Sequence, residues 1–183
     1  MLFIISGPSG AGEDSIIQGL KKILPIEKVV TSTTRPPRAD EQDGSDYYFL
    51  SPEAFRAGIA QDEFFEYACE YNGQYYGVSR KEIARVLGLK DKIGVWKIEY
   101  KGVLSAKELL PEVKSILITA PLSVLEDRIR ARGGLDENQI KERLAYTKKW
   151  LKHKDIYDFT VENRQGELEQ AVKETAKIIR AAL

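Results

Sequence analysis

The stretch that decides the fold is LFIISGPSGAGED, residues 2–14. Its first five residues form a short apolar run, which is typical of a strand buried on both faces of a sheet. A glycine-rich turn at residues 7–12 follows, and apolar side chains then recur at helical spacing over residues 15–24. A turn of this kind favours an anion, because its N–H groups point inward and the helix begins with a partial positive charge. The stretch therefore predicts a phosphate-binding loop.

This loop matches the phosphate-loop pattern G-x-x-x-x-G-K-[ST] at Gly7 and Gly12 and then departs from it. Glu13 stands where the pattern has lysine, and Asp14 stands where it has serine or threonine. Taken alone, the loop also fits a glycine turn that binds no ligand. The candidates for binding a donor phosphate are Ser9, Gly10, Ala11, Gly12, Glu13 and Asp14.

Outward from the loop, apolar runs alternate with helical stretches. The predicted strands are residues 29–31, 93–99, 115–119 and 159–162, and the predicted helices are 103–109, 122–132, 139–152 and 168–181. Residues 33–77 differ, being rich in aromatic and turn residues, with helices at 51–61 and 79–87 around a hairpin turn at Asn72-Gly73. We predict an α/β fold: a parallel sheet core with helices on both faces, an inserted small mixed β subdomain and a helical lid. We expect a single domain in which the core is 1–31, 91–125 and 153–183, the insertion is 32–90 and the lid is 126–152.

Composition excludes several classes of protein. The chain has 183 residues, with 28 lysines and arginines against 28 acidic residues, so its net charge gives no reason to expect nucleic acid as a partner. Cys69 and His153 are the only residues of their types, which argues against disulfide scaffolds and Cys/His zinc sites. Cys69 is expected to be a small buried residue. Without a long apolar run or a signal peptide, the expected compartment is the cytoplasm, with no membrane partner.

Six motifs in order along nearly the whole chain resemble those of the guanylate kinase family. They are the loop 7–12, STTRPPR at 32–38, DGSDYYF at 43–49, the hairpin segments 63–68 and 72–77, the lid arginines Arg128, Arg132 and Arg143, and a late Asn163. The pair Asp14-Ser15 is also similar to the ribose bisphosphate phosphokinases, whose loop carries Lys-Asp-Ser. The GMP-type motifs favour the guanylate kinases over these relatives.

The resemblance implies a nucleoside-monophosphate kinase that transfers the γ-phosphoryl group of ATP, with Mg²⁺, to GMP or a related monophosphate. The chain would then act on small nucleotides, as a monomer or homodimer. Acceptor binding would fall to Thr31, Ser32, Arg35, Arg38, Tyr47, Glu66, Tyr76 and Glu99. The catalytic residues would be Arg128, Arg132, Arg143 and Lys97. Asn163 would lie on the adenine side, and Asp14 would bind the metal.

Several of these assignments agree with the chemistry of the residues themselves. Arg35 and Arg38 flank two prolines, and two guanidinium groups on a stiff loop suit one phosphate dianion, although the same segment also fits a solvated surface loop. Glu66 can accept two hydrogen bonds from the N–H and amino edge of guanine, or it can be a carboxylate that faces solvent. Val78 stands where the family has serine or threonine, which puts guanine selectivity in question.

The phosphate site departs from the family at two places. Lys97 replaces the first aspartate of the family's Asp-Ile-Asp, while Glu13 replaces the loop lysine. This exchange of charges predicts a Glu13–Lys97 salt bridge, and it argues against a deliberate alteration of position 13 alone. One reading keeps the activity, with Lys97 reaching the phosphates and Asp14 or Glu13 holding Mg²⁺. The alternative is a pseudo-kinase that binds a nucleotide or phosphopeptide through the acceptor site.

For the lid arginines a simpler reading also stands. Arg128 and Arg132 lie four residues apart on one predicted helical face, where they would close over the donor phosphates. They would instead be structural if they only paired with Glu126 or Asp127 nearby.

Overall fold

A computed structural model of the chain describes residues 1–39, 41–69 and 73–183. The strands are β1 (Leu2–Ser6), β2 (Ile26–Lys28), β3 (Thr31–Thr33), β4 (Tyr47–Phe49), β5 (Phe64–Cys69), β6 (Tyr75–Ser79), β7 (Ile93–Lys97), β8 (Lys114–Thr119) and β9 (Phe159–Glu162). The helices are α1 (Glu13–Lys21), α2 (Pro52–Ala60), α3 (Arg80–Leu87), α4 (Tyr100–Leu109), α5 (Leu122–Ala131), α6 (Glu137–Leu151) and α7 (Leu168–Ala181). The predicted turn at Asn72-Gly73 falls partly outside the described residues, since Asn72 is not among them.

The core is a five-stranded parallel sheet in the order β2-β7-β1-β8-β9. The central strand β1 is buried along its whole length, and its side chains alternate between two apolar clusters. Phe3 and Ile5 pack with α1 and α7 on one face, while Leu2 and Ile4 pack with α4 on the other. The predicted parallel core with helices on both faces is therefore confirmed.

The inserted subdomain is a four-stranded mixed sheet in the order β4-β3-β6-β5. β5 and β6 pair antiparallel as the sequence predicts, and β3 pairs parallel with β4. Helix α2 covers this sheet through Phe55, whose ring stacks on Phe64 with a centroid distance of 4.1 Å. Ser51 and Ser79 cap α2 and α3 by accepting backbone hydrogen bonds, which explains where these two helices begin.

Two predictions about this part of the chain are wrong. The strand predicted at 29–31 instead falls at the crossing between two strands: β2 ends at Lys28 and pairs with β7 in the core, while β3 begins at Thr31 in the second sheet. Val29 and Val30 are buried where the chain crosses between the sheets, so a single apolar run is shared by both sheets. Cys69 is exposed rather than buried, because β5 reaches into solvent at its end.

Most other elements agree with the sequence to within a few residues. The strand at 159–162 and the helix at 168–181 have the predicted bounds, whereas α1 begins at Glu13 directly after the left-handed Gly12, two residues before the predicted start. None of the helices in the described part of the chain combines the length and apolarity needed to cross a membrane.

Candidate functional site

A cleft of about 330 Å³ lies between the carboxyl ends of β1 and β7 and the inserted sheet. Among the predicted site residues it gathers Ser9, Gly10, Glu13, Asp14, Thr31, Arg38, Tyr47, Glu66, Tyr76, Lys97, Glu99 and Arg132. Residues predicted to bind two different nucleotides thus line one continuous space. The remaining predicted residues do not line it: Ser32, Arg35, Ala11, Gly12, Arg128, Arg143 and Asn163 lie around it or behind it.

The phosphate-loop backbone is held by close packing that only glycine permits. Gly10 and Gly12 have φ of +89° and +93°, in the left-handed region that glycine adopts without strain. A Cβ on Gly12 would lie 2.5 Å from Nδ2 of Asn163, which donates a 2.7 Å hydrogen bond to the carbonyl of Ala11. Asn163 therefore helps to fix the shape of the loop.

At the start of α1 the predicted salt bridge between Glu13 and Lys97 is wrong. Nζ of Lys97 instead lies 2.8 Å and 2.9 Å from the two carboxylate oxygens of Asp14. The prediction correctly placed Lys97 beside two acidic residues but chose the wrong one, because spacing along the chain does not show which side chain turns towards β7. Lys28, which the sequence analysis did not single out, lies close enough to Asp14 and Lys97 to interact with both.

Glu13 is folded into the phosphate loop itself. Its carboxyl carbon lies 3.3 Å from where a Cβ on Gly7 would be. Burial raises the pKa of Glu13 to about 7, and the opposing effects of its backbone hydrogen bond and of Lys97 are smaller. Near neutral pH the loop therefore carries this carboxyl group partly in its uncharged form.

Arg35 and Arg38 are joined by a carboxylate that sequence reasoning missed. Oε1 of Glu41 lies 2.7 Å from Nη2 of Arg35, and Oε2 accepts a 2.8 Å hydrogen bond from the backbone N–H of Arg38. The Arg35 guanidinium also lies over the rings of Tyr47 and Phe49, at 5.4 Å and 5.9 Å. The reading as a solvated loop is therefore wrong for Arg35, whose side chain is only 14% exposed, whereas it describes Arg38, whose side chain is 70% exposed. The available clue was an acidic residue three positions after Arg38.

At the other end of the cleft two carboxylates from different sheets lie together. Glu66 comes from β5, and Glu99 directly precedes α4 at the end of the parallel sheet. Glu66 lines the cleft and is partly buried, so it is not a solvated surface carboxylate. Burial, and after it the charge of Glu99, raises the pKa of Glu66 to about 7. Val78 is fully buried in the core cluster beside β1 and does not line this cleft.

Arg128 is bonded to the main chain around the loop rather than to the acids beside it. Its guanidinium donates to the carbonyls of Gly10, Asn163 and Arg164 at 3.0–3.2 Å and to Oε1 of Gln165. The simpler reading of this residue, pairing with Glu126 or Asp127, is wrong. The arginine that pairs with Glu126 is Arg130.

The other two lid arginines face the loop. Arg132 lines the main cleft, and Nη1 of Arg143 lies 3.5 Å from Oγ of Ser9. Arg143 sits on α6, whose first turn is fixed by a capping box between Asp136 and Gln139. Two positive side chains from the lid therefore approach the loop that would hold a donor phosphate.

A second cavity of about 410 Å³ opens on the other side of the loop. Its lining includes Gly10, Gly12, Arg128, Arg132 and Asn163. Oδ1 of Asn163 is buried and has no hydrogen-bond partner within the described ranges of the chain. A buried acceptor of this kind suits a ligand that donates a hydrogen bond, such as the amino group of adenine. The predicted place of Asn163 beside the adenine of ATP stays a prediction.

The residues present do not form a metal site by themselves. Among the described residues there is no group of three or more histidine, cysteine or acidic side chains suited to hold a metal ion. Both oxygens of Asp14 already accept hydrogen bonds from Lys97, so this arrangement does not favour the predicted role of Asp14 as a metal ligand. A Mg²⁺ ion in this cleft would depend on phosphate oxygens and water, which it commonly uses.

Comparison with known proteins places these features in a family. The family model for guanylate kinase matches residues 1–182. A guanylate kinase of Shewanella denitrificans is 38% identical over 97% of this chain and 86% of its own length, and one of Hydrogenovibrio crunogenus is 37% identical over 88% and 79%. The crystal structure of guanylate kinase from Anaplasma phagocytophilum superimposes with a TM-score of 0.78 at 27% identity, over 99% of this chain and 85% of that one. By fold, motifs and sequence, this chain belongs to the guanylate kinase family.

Proposed function

We propose that this chain transfers the γ-phosphoryl group of ATP to GMP. The observation that carries the proposal is one cleft with two kinds of lining: a phosphate loop on one side, and phosphate-binding and base-binding groups on the other. The family relatives are guanylate kinases, which supports phosphotransfer as the reaction class.

The acceptor half supplies a phosphate end and a base end. Arg38, Tyr47 and Tyr76 would bind the phosphate of GMP. Arg35 lies beside this group, and its guanidinium is fixed by the ion pair with Glu41. Guanidinium and phenol groups suit a phosphate dianion because they donate several hydrogen bonds in fixed directions. At the base end, carboxylate oxygens would accept from the N–H and amino edge of guanine, which adenine lacks. Thr31 lines the cleft, and Ser32, the next residue of β3, is buried.

The donor half would bind the ATP phosphates through backbone N–H groups of the loop, at the amino end of α1. Phosphoryl transfer needs no covalent intermediate, so the protein has to align the two nucleotides and neutralise the charge that is shared in the transition state. Arg132 and Arg143 are the lid cations placed for this task, and Lys97 lines the same cleft while paired with Asp14. Arg128 would contribute mainly by holding the loop carbonyl of Gly10. Mg²⁺ would enter with ATP.

Glu13 is the main obstacle to donor binding. An ionised carboxylate about 4 Å from a phosphate oxygen would cost roughly 4 kcal/mol at an effective dielectric constant of about 20, before screening. Its raised pKa reduces this cost, because the protonated form carries no charge. The second candidate function follows from the same residue: a pseudo-kinase that binds GMP or another phosphorylated ligand and binds ATP poorly.

The experiment that separates these two functions is calorimetric titration of GMP and of ATP with Mg²⁺, followed by a coupled assay of ADP release. A kinase binds both nucleotides and releases ADP only when both are present. A pseudo-kinase binds GMP without ADP release. A Glu66→Ala variant is the matched control for the acceptor half, since it should lose GMP binding and keep whatever ATP binding the wild type has.

A further inference from the structure

Tyr146 makes a contact that joins the lid helix to the base end of the cleft. Tyr146 lies on α6, and its hydroxyl donates a 2.8 Å hydrogen bond to Oε2 of Glu99, 47 residues earlier in the chain. Glu99 occupies the N-cap position of α4, where side chains often bond to the helix backbone. Glu99 makes no such bond in α4, so its carboxylate is directed by Tyr146 instead.

The tyrosine ring is held on two sides, which fixes the position of its hydroxyl. The centroid of the Tyr100 ring lies 6.0 Å away, and the Trp150 ring meets it edge-on at the same distance. Trp150 is itself fixed, since its Nε1 donates a 3.0 Å hydrogen bond to the hydroxyl of Tyr157. The direction of the Tyr146 hydroxyl therefore depends on how α6 packs against α4 and the core.

A hydrogen bond to Glu99 matters because a second carboxylate shares the cleft. Both carboxylates offer acceptor oxygens to the cleft, so a donor that fixes one of them determines which oxygens stay available. Tyr146 supplies that donor to Glu99, while Oε1 of Glu66 lies beside Gly102 in the first turn of α4. Because Tyr146 holds one oxygen of Glu99, the other oxygen remains to accept from a ligand.

We propose that Tyr146 is a positioning residue for base recognition: it orients the Glu99 carboxylate as an acceptor for the N–H edge of the bound purine. This inference rests on the proposed function, since it assumes that GMP occupies the acceptor half. It also couples the two nucleotide sites, because α6 carries Arg143 beside the phosphate loop one turn before Tyr146. A change in how α6 packs would therefore affect both the binding of ATP at the phosphate loop and the binding of the GMP base.

The test is a double-mutant cycle on the binding of GMP, with AMP and ATP measured alongside. Tyr146→Phe keeps the ring and removes the hydroxyl, and Glu99→Gln keeps the shape and removes the charge. We expect Tyr146→Phe to weaken GMP binding about tenfold and to change AMP and ATP binding by less than about twofold, because adenine lacks the N–H edge that Glu99 accepts. In the Glu99→Gln background the same substitution should change GMP binding by less than about twofold, since a residue acting only through Glu99 has little left to act on.

Two results would contradict a positioning role for Tyr146. Tyr146 would be a packing residue only if its replacement weakened GMP, AMP and ATP alike, or if its effect were fully retained in the Glu99→Gln background. The matched control is Tyr67→Phe on the exposed part of β5, which should leave GMP binding unchanged. If Tyr146→Phe does not fold, Glu99→Gln tests the acceptor on which the inference depends, and equal losses of GMP and AMP affinity in that variant would overturn it. A wild type that binds no GMP would overturn the proposed function, whereas a wild type that binds GMP and shows no coupling would overturn only this inference.

Discussion

Glu13 begins α1, so its carboxyl group lies at the positive end of a helix and close to Lys97. Both features favour the ionised form, yet burial in the loop outweighs them and the pKa rises to about 7. Asp14, one residue later, is 69% exposed and pairs with Lys97, and its pKa is lowered: burial opposes the shift, but the charge and hydrogen bond of Lys97 prevail. Two adjacent acids thus behave oppositely, and Glu13 is the one that would face a donor phosphate.

Replacing Glu13 alone should therefore improve donor binding. Since Asp14 already neutralises Lys97, Glu13→Lys places a new cation in the loop without needing a second change at position 97. We expect ATP with Mg²⁺ to bind at least about tenfold more tightly, which corresponds to about 1.4 kcal/mol and lies well within the cost of one like-charge contact. Calorimetry measures the gain, and Glu112→Lys at an exposed position controls for the change in net charge. The reasoning fails if the gain appears only when Lys97→Asp is added.

The phosphate loop is stabilised by hydrogen bonds from two other parts of the chain. Arg128 on α5 and Asn163 after β9 both hydrogen-bond to its carbonyl groups, so the loop is tied to the segment that leads into α7. The Arg128 bonds to the carbonyls of Gly10 and Asn163 are partly buried and have a charged donor, a combination that contributes more to stability than an exposed ion pair. Arg130, two residues along the same helix, instead makes exposed ion pairs with Glu126 and Glu137.

These two arginines give a matched pair of predictions for the stability of the free protein. Arg128→Ala should lower the free energy of unfolding by about 2 kcal/mol, since several main-chain carbonyls lose a charged donor. Arg130→Ala should lower it by less than about 1 kcal/mol, as is usual for exposed ion pairs. Chemical denaturation without nucleotide measures both changes. Equal losses in the two variants would show that Arg128 does not support the loop.

On the scale of the whole molecule, the sequence predicted the order of strands and helices better than it predicted the contacts between side chains. Apolar periodicity identified nearly every core strand and helix, because burial on a sheet or helix face imposes a spacing that the sequence must carry. It placed a strand at residues 29–31, where the chain crosses from β2 to β3, because a buried crossing between two sheets has the same apolar composition as a strand. It also missed Glu41 and chose Glu13 instead of Asp14 as the partner of Lys97. Such pairings depend on side-chain direction in three dimensions, which spacing does not fix.

The base end of the cleft is a property of the whole molecule, because its two carboxylates come from different sheets. The pKa of Glu66 is raised to about 7 by burial first and by Glu99 second, so near neutral pH the empty cleft carries Glu66 partly protonated. A protonated carboxyl group loses acceptor capacity towards the N–H edge of guanine, whereas the carboxylate retains it. The affinity for GMP should therefore rise with pH as Glu66 loses its proton.

The expected size of this effect is roughly tenfold between pH 6 and pH 8, because a group with a pKa near 7 goes from about one tenth to about nine tenths ionised over that range. The phosphate of GMP also titrates near pH 6, so the wild-type affinity alone does not isolate Glu66. Glu66→Gln provides the reference, since it keeps the phosphate contacts and has no proton to lose. Calorimetric titrations of both proteins at each pH give the ratio of their affinities for GMP. A ratio that rises about tenfold places the titrating group at Glu66, whereas a flat ratio means that the base is not read by this carboxylate.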